Sequence, residues 1–237
     1  MLITNKGPFT VGLLLSISFL AVLVLMFAPI YGEGINGLDY ADDLFNKLSK
    51  GSSYFIPKLK ESNKKAQGKT FNVTLAIEKP KDLELVSKLF TAAGCKVEVQ
   101  GTNLKIEGDL GKTVDNILRD SDFMFNNKGK EVKTLYCVDE QEVMKAWWLA
   151  LSKTDKFLKK NLKIEEANLL NEVSKKGIEP AFNFYKIEPQ KVADRAGLMI
   201  FLLAFYVFYT MWWGYAIFYL FEGFGLTMKK AKVKKEV

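Results

Sequence analysis

The side chains that usually carry nucleophilic, redox or metal chemistry are almost missing from this sequence. It holds no histidine, which removes Ser-His-Asp and Cys-His activation, imidazole ligation of metals and the ordinary pH switch together. Its two cysteines, Cys95 and Cys137, lack the C-x-x-C spacing of a dithiol redox centre and are too few for a disulfide framework. Asp39, Asp42 and Asp43 make a carboxylate cluster of the kind a hard cation takes. Neighbouring positions on a helix point apart, however, and acidic residues there serve the helix N-terminus instead. No pair of carboxylates stands out in spacing or apolar setting as a general acid and base. The expectation is a protein that is not an enzyme and holds no metal or cofactor.

The formal charge of +7 comes from 34 basic and 27 acidic residues, and only Arg119 and Arg195 among the basic ones are arginines. Lysines interspersed with acids, without a recognition motif, describe a solvated surface and argue against nucleic acid as a partner. The residues left with functional promise are aromatic: Trp147 and Trp148, adjacent on one predicted helix, and Phe182, Phe184 and Tyr185 between Pro180 and Pro189. Adjacent tryptophans diverge by ~100° on a helix, so one is expected in the core and the other partly exposed, a docking surface for a partner or the lipid interface being the alternative reading of the second. Together these five form the candidate interaction surface.

Two apolar stretches must position that surface. Residues 198–221 run about 24 residues without a formal charge, or roughly 36 Å of helix against a ~30 Å hydrocarbon core. Residues 11–31 form a second such run, longer than the ~7–15 residues of a signal peptide and ending in Ala28-Pro29-Ile30 rather than an A-x-A-like site. An uncleaved signal anchor is therefore expected. Lys229, Lys230, Lys232, Lys234 and Lys235 follow the second span and Lys6 precedes the first, whereas Glu33, Asp39, Asp42 and Asp43 open the intervening segment. Positive flanks stay cytoplasmic, so both termini are expected in the cytoplasm of a plasma or inner membrane, with the central domain outside it. Gly12 with Ser16, and Thr210 with Gly214, have the small-xxx-small spacing that lets helices approach closely in lipid. Tyr206, Tyr209, Trp212, Trp213, Tyr215 and Tyr219 fill the second span with polar-tipped rings, which either pack on protein or find local backbone carbonyls.

Between the spans the periodicity changes in a definite order. Residues 32–69 read as a membrane-proximal amphipathic helix over Leu38 to Ser49 followed by a basic linker over Lys58 to Lys69. Residues 70–138 alternate as strand, helix, hairpin, helix and a last strand over Val132 to Val138, the β-α-β-β-α-β order of a ferredoxin-like, split βαβ module. Residues 139–196 add helices, opened by Asp139 and Glu142 as a capping pair, then a proline-bracketed aromatic connector expected to be extended; residues 197–221 are the second span and 222–237 a lysine-rich tail. In the 4-1-3-2 strand order of such a module, Cys95 and Cys137 lie on opposite edges, beyond the ~7 Å a disulfide spans. No bridge is expected, and both are assigned to buried element ends. Asn72-Val73-Thr74 matches the N-glycosylation acceptor but falls inside the first strand.

The fold class expected is therefore membrane-anchored α+β. The function expected is a non-catalytic, membrane-anchored subunit presenting an extracytoplasmic module to other membrane proteins, or to further copies of itself, beside the lipid. An extracytoplasmic sensor acting through a separate partner and an oligomeric two-span channel are the alternatives; the second is opposed by the absence of a charge within either span before Glu222.

Overall fold

The computed structural model describes residues 3–31 and 34–226. Glu33 and the five lysines from Lys229 to Lys235, on which the expected orientation leans, lie outside the described residues. In chain order the elements are α1 (Lys6–Phe27), α2 (Gly37–Ser52), α3 (Ile56–Asn63), β1 (Thr70–Ala76), α4 (Pro80–Ala92), β2 (Lys96–Gln100), β3 (Asn103–Asp109), α5 (Leu110–Phe125), α6 (Gly129–Tyr136), α7 (Glu140–Lys160), α8 (Ile164–Val173), α9 (Glu179–Asn183) and α10 (Val192–Gly223). The chain divides into two units, one running to Phe45 and resuming at Gln190, the other spanning Asn46–Pro189.

The first unit is built on α1 and α10, which pack against each other. Both are long and apolar enough to cross a bilayer, which is compatible with a membrane protein. The helices extend past the apolar runs, α1 back to Lys6 and α10 back to Val192, while α1 stops at Phe27, just before Ala28 and Pro29. Proline disfavours helical backbone at the residue before it, and that sets the stop.

The second unit is helix-rich and holds a three-stranded antiparallel sheet in the order β1-β3-β2. Alternation drives β1: Phe71, Val73 and Leu75 are buried while Asn72, Thr74 and Ala76 are exposed. They meet Leu104 and Ile106 of β3 and the apolar faces of α4, α5 and α7 in one core, and a fully buried side chain of this kind contributes about 1.5–3 kcal/mol. Asp139 caps α7 by accepting from the amides of Gln141 and Glu142. That helix contacts β1, α4, α6 and α8, which makes it the hub of the unit.

Three expectations are corrected here. The fourth strand is absent: residues 129–136 are α6. Val132 and Tyr136 are both buried, and a spacing of four satisfies a helix as well as a strand; Leu135, 52% exposed, fits either period, so alternation could not decide. The stretch 58–69 is not a linker, because Ile56, Leu59, Asn63 and Ala66 are buried along α3 and the 3-10 turn after it, with Pro57 in the first turn where its missing N–H is harmless. The connector is not wholly extended, since Pro180 likewise starts α9.

The cysteines are both free. Cys95 is buried before β2, its sulfur 3.3 Å from the Thr113 hydroxyl, and burial pushes its thiol pKa up. Cys137 departs from expectation: it is exposed, at the left-handed C-cap of α6 with φ 51°.

Candidate interaction surface

The two adjacent tryptophans of α7 separate as their ~100° offset requires. Trp147 is 0% exposed and belongs to the core, whereas Trp148 is 46% exposed. The Trp147 ring meets Phe90 edge-to-face at 5.6 Å, and its indole N–H donates to Asp120 Oδ2 at 3.0 Å.

Asp120 is itself 0% exposed and is bonded through both oxygens. Tyr136 donates to Oδ2 at 2.6 Å, while Arg119 Nε and Nη2 donate to Oδ1 at 3.0 and 2.8 Å. A second donation from Arg119 Nη2 reaches the Tyr136 hydroxyl at 3.1 Å. Burial, then the Asp120 charge, push the Tyr136 phenol pKa well above its ordinary range. A carboxylate whose lone pairs are taken by Arg, Tyr and Trp donors inside a core locks α5, α6 and α7 to one another. It has no open valence for a ligand.

Trp148 instead stands among three adjoining hollows. The first, about 210 Å³, is walled by Met144, Trp148, Ile178 and Phe182, with Lys145, Glu179 and Asn183 also lining it. Its neighbours across the indole have volumes of about 370 and 200 Å³. The indole N–H donates to Glu179 Oε1 at 3.1 Å, fixing the ring. Lys145 Nζ lies 5.4 Å from the Phe182 ring centroid, a cation–π distance. Thus α7 and α9 together bring Trp148 and Phe182 into one apolar, charge-rimmed hollow.

Phe184 and Tyr185 are placed elsewhere. Both pack partly buried on the core, Phe184 edge-on to Phe125 at 6.4 Å. Tyr185 donates to Glu140 Oε1 at 2.8 Å, and its ring closes over Gly129, where an added Cβ would meet Tyr185 side-chain atoms. Burial, then the Glu140 bond, hold the Tyr185 phenol pKa up at about 12 against an ordinary 10.0. Because the folded value is the higher one, this contribution to stability is complete below pH 10 and is lost as pH rises from 10 toward 12. Tyr54 and Tyr136 also titrate late, so in a phenolate absorbance titration Tyr185→Phe should remove one tyrosine's amplitude from the step between pH 10 and 12; a step of unchanged amplitude in the variant would refute the assignment.

The neighbouring connector is held by a buried lysine. Lys50, 2% exposed, donates to Asn127 Oδ1, Phe184 O and Ile187 O at 2.9, 3.0 and 2.6 Å, so all three ammonium protons are used. Burial lowers its pKa, with Glu188 opposing. Lys50 and Ile187 lie close to the two ends of the second unit, so this ammonium ties together the segments by which the chain comes in and leaves.

Within the first unit, Gly12 and Ser16 are the buried residues of α1, and an added Cβ on Gly12 would lie 2.6 Å from the Leu220 amide nitrogen. On α10 the close approach falls at Ala216 and Gly223; Thr210 and Gly214 are exposed, and a Cβ on Gly214 would meet nothing within 4 Å. Trp212 donates its indole N–H to Leu15 O at 3.1 Å, while Phe19 stacks on Tyr209 at 4.2 Å and lies 4.6 Å from Trp213. For these three of the span's six Tyr and Trp residues, the contact is with protein.

Sequence reasoning missed Asp120, Arg119 and Tyr136, Lys50, and the part of Met144 and Ile178 in walling the Trp148 hollow. One signal was present: Asp120 falls three residues from Ile117 and four from Met124, in phase with the apolar face of α5. Among the described residues no group of three or more His, Cys, Asp and Glu side chains is placed to hold a metal ion. The chain matches no protein-family model, no curated protein and no solved structure.

Proposed function

We propose that this chain is a non-catalytic membrane subunit, anchored by α1 and α10, whose second unit binds another protein of a membrane complex through the surface centred on Trp148. The observation that carries this is the exposed indole itself, held in one orientation by Glu179 and flanked by hollows. Interface hot spots are enriched in tryptophan, which combines a large apolar area with a polar tip. The lysines flanking the two spans favour cytoplasmic termini and an extracytoplasmic second unit.

A photo-crosslinking amino acid at Leu149, which lines the hollow of about 370 Å³ beside Trp148, should capture a stoichiometric partner in native membranes. Trp148→Ala in the same chain should weaken that association by ~30-fold or more, the effect of a hot spot worth about 2 kcal/mol. Capture unaffected by the substitution, or a chain that purifies alone from mild detergent, would overturn the proposal. For the orientation, protease added to intact spheroplasts should cut the second unit. Protection there, with cleavage only after the membrane is opened, would invert the topology.

A further inference from the structure

The connection between α2 and α3 leaves two consecutive aromatic rings open, Tyr54 at 43% exposure and Phe55 at 39%. Tyr54 is held in place: its hydroxyl donates to Asp122 Oδ1 at 2.7 Å, and its ring lies 5.2 Å from that of Phe125. Phe125 in turn meets Phe184 and stands 5.2 Å from Lys50 Nζ, the ammonium that holds the carbonyls of Phe184 and Ile187. The open pair is therefore one ring away from the segment by which the chain leaves the second unit. Asp122, the carboxylate beside it, is engaged by Tyr54, Asn126 and Lys60. Lys58, one turn along α3 from Phe55, is exposed and makes no ion pair among the described residues.

Connectivity says what covers these rings. From Pro189, the last residue of the second unit, three steps of backbone reach Val192, where α10 begins, and they span at most ~11 Å. Six further residues at ~1.5 Å each lead to Leu198, the start of the uncharged run. Where α10 crosses a bilayer, Pro189 thus lies within about 20 Å of the hydrocarbon, and the headgroup layer fills ~5–8 Å of that distance. We infer that Tyr54 and Phe55 lie in the headgroup layer of the membrane that α10 crosses, with Lys58 set among the anionic headgroups. Aromatic rings with a polar neighbourhood gather at that depth, and an exposed lysine beside them is attracted by acidic lipid. The inference rests on α10 being a span and does not depend on the Trp148 surface.

The test uses the full chain in nanodiscs of phosphatidylcholine and phosphatidylglycerol, in a Cys137→Ser background so that one new thiol carries a fluorophore. On Phe55→Cys the fluorophore should be quenched by a lipid nitroxide at headgroup depth, at least twofold more than on Leu162→Cys. Leu162, 85% exposed, follows the far end of α7, whose 21 residues run ~30 Å from the end that Tyr185 bonds. On Val207→Cys, 51% exposed on α10, a nitroxide deep in the acyl chains should quench instead. Should far-UV circular dichroism show that the Phe55 label disturbs the fold, Lys58→Cys carries the fluorophore and the same quenching is expected. Quenching at Val207 with position 55 or 58 left in water, or quenched no more than Leu162, overturns the inference while α10 remains a span. A fluorophore at Val207 that stays in water removes the span and the inference with it.

Discussion

Asp120→Ala is expected to destabilise the second unit by about 3–5 kcal/mol, the range for removing one partner of a buried, hydrogen-bonded ion pair. The substitution strips acceptors from three donors at once. Arg119 is partly exposed, with 41% of its side chain accessible, and can turn to water. The Tyr136 hydroxyl and the Trp147 indole N–H cannot, because both residues are buried. Against a typical domain stability of ~5–15 kcal/mol, such a loss leaves the unit marginal. Asp120→Asn should cost distinctly less, since a carbonyl oxygen in the same place still accepts from Tyr136 and Trp147 and only the charge facing Arg119 is lost. Urea denaturation of the full chain in detergent, followed by near-UV circular dichroism of the buried aromatics, gives the comparison. Equal midpoints for wild type and Asp120→Ala would mean that the network contributes nothing.

That network also shows where the sequence stops informing. Alternation in Phe71, Val73 and Leu75, the proline that opens α4 and the Asp139 cap each act within a few residues, and the elements they mark are found close to where they were expected. Local pattern failed at 132–138, where a four-residue spacing suits two periods and only the packing of Tyr136 against Asp120 selects the helix. It failed at 58–69 because the five lysines of that stretch outnumber its three buried residues, Leu59, Asn63 and Ala66. The interaction surface was half legible: Trp148 and Phe182 could be named, but their meeting depends on α9 returning to α7, a contact made across some thirty residues. Lys50 carries no local mark at all, because its three acceptors come from residues 127, 184 and 187.

The two small-xxx-small pairs had equal standing in the sequence, and alanine substitution should now separate them. At Gly12 an added methyl would sit 2.6 Å from the Leu220 nitrogen and 2.9 Å from the Tyr219 carbonyl carbon, and backbone atoms cannot swing aside as a side-chain tip can. Gly12→Ala must therefore push α1 and α10 apart. Overpacking of this kind costs about 1–3 kcal/mol, and lipid supplies no hydrophobic force to hold the helices together while they adjust. Separation also stretches the staple at one end of the pair, where the Thr4 and Asn5 amides both donate to Gly223 O at 2.9 Å. Hydrogen exchange at those two amides should accelerate by ~5-fold or more, the lower end of that energy range. Gly214→Ala adds its methyl to open space and improves helix propensity, so the same amides should stay protected. Unchanged exchange in Gly12→Ala, or equal acceleration in both variants, would show that close backbone approach at Gly12 is not what holds the pair.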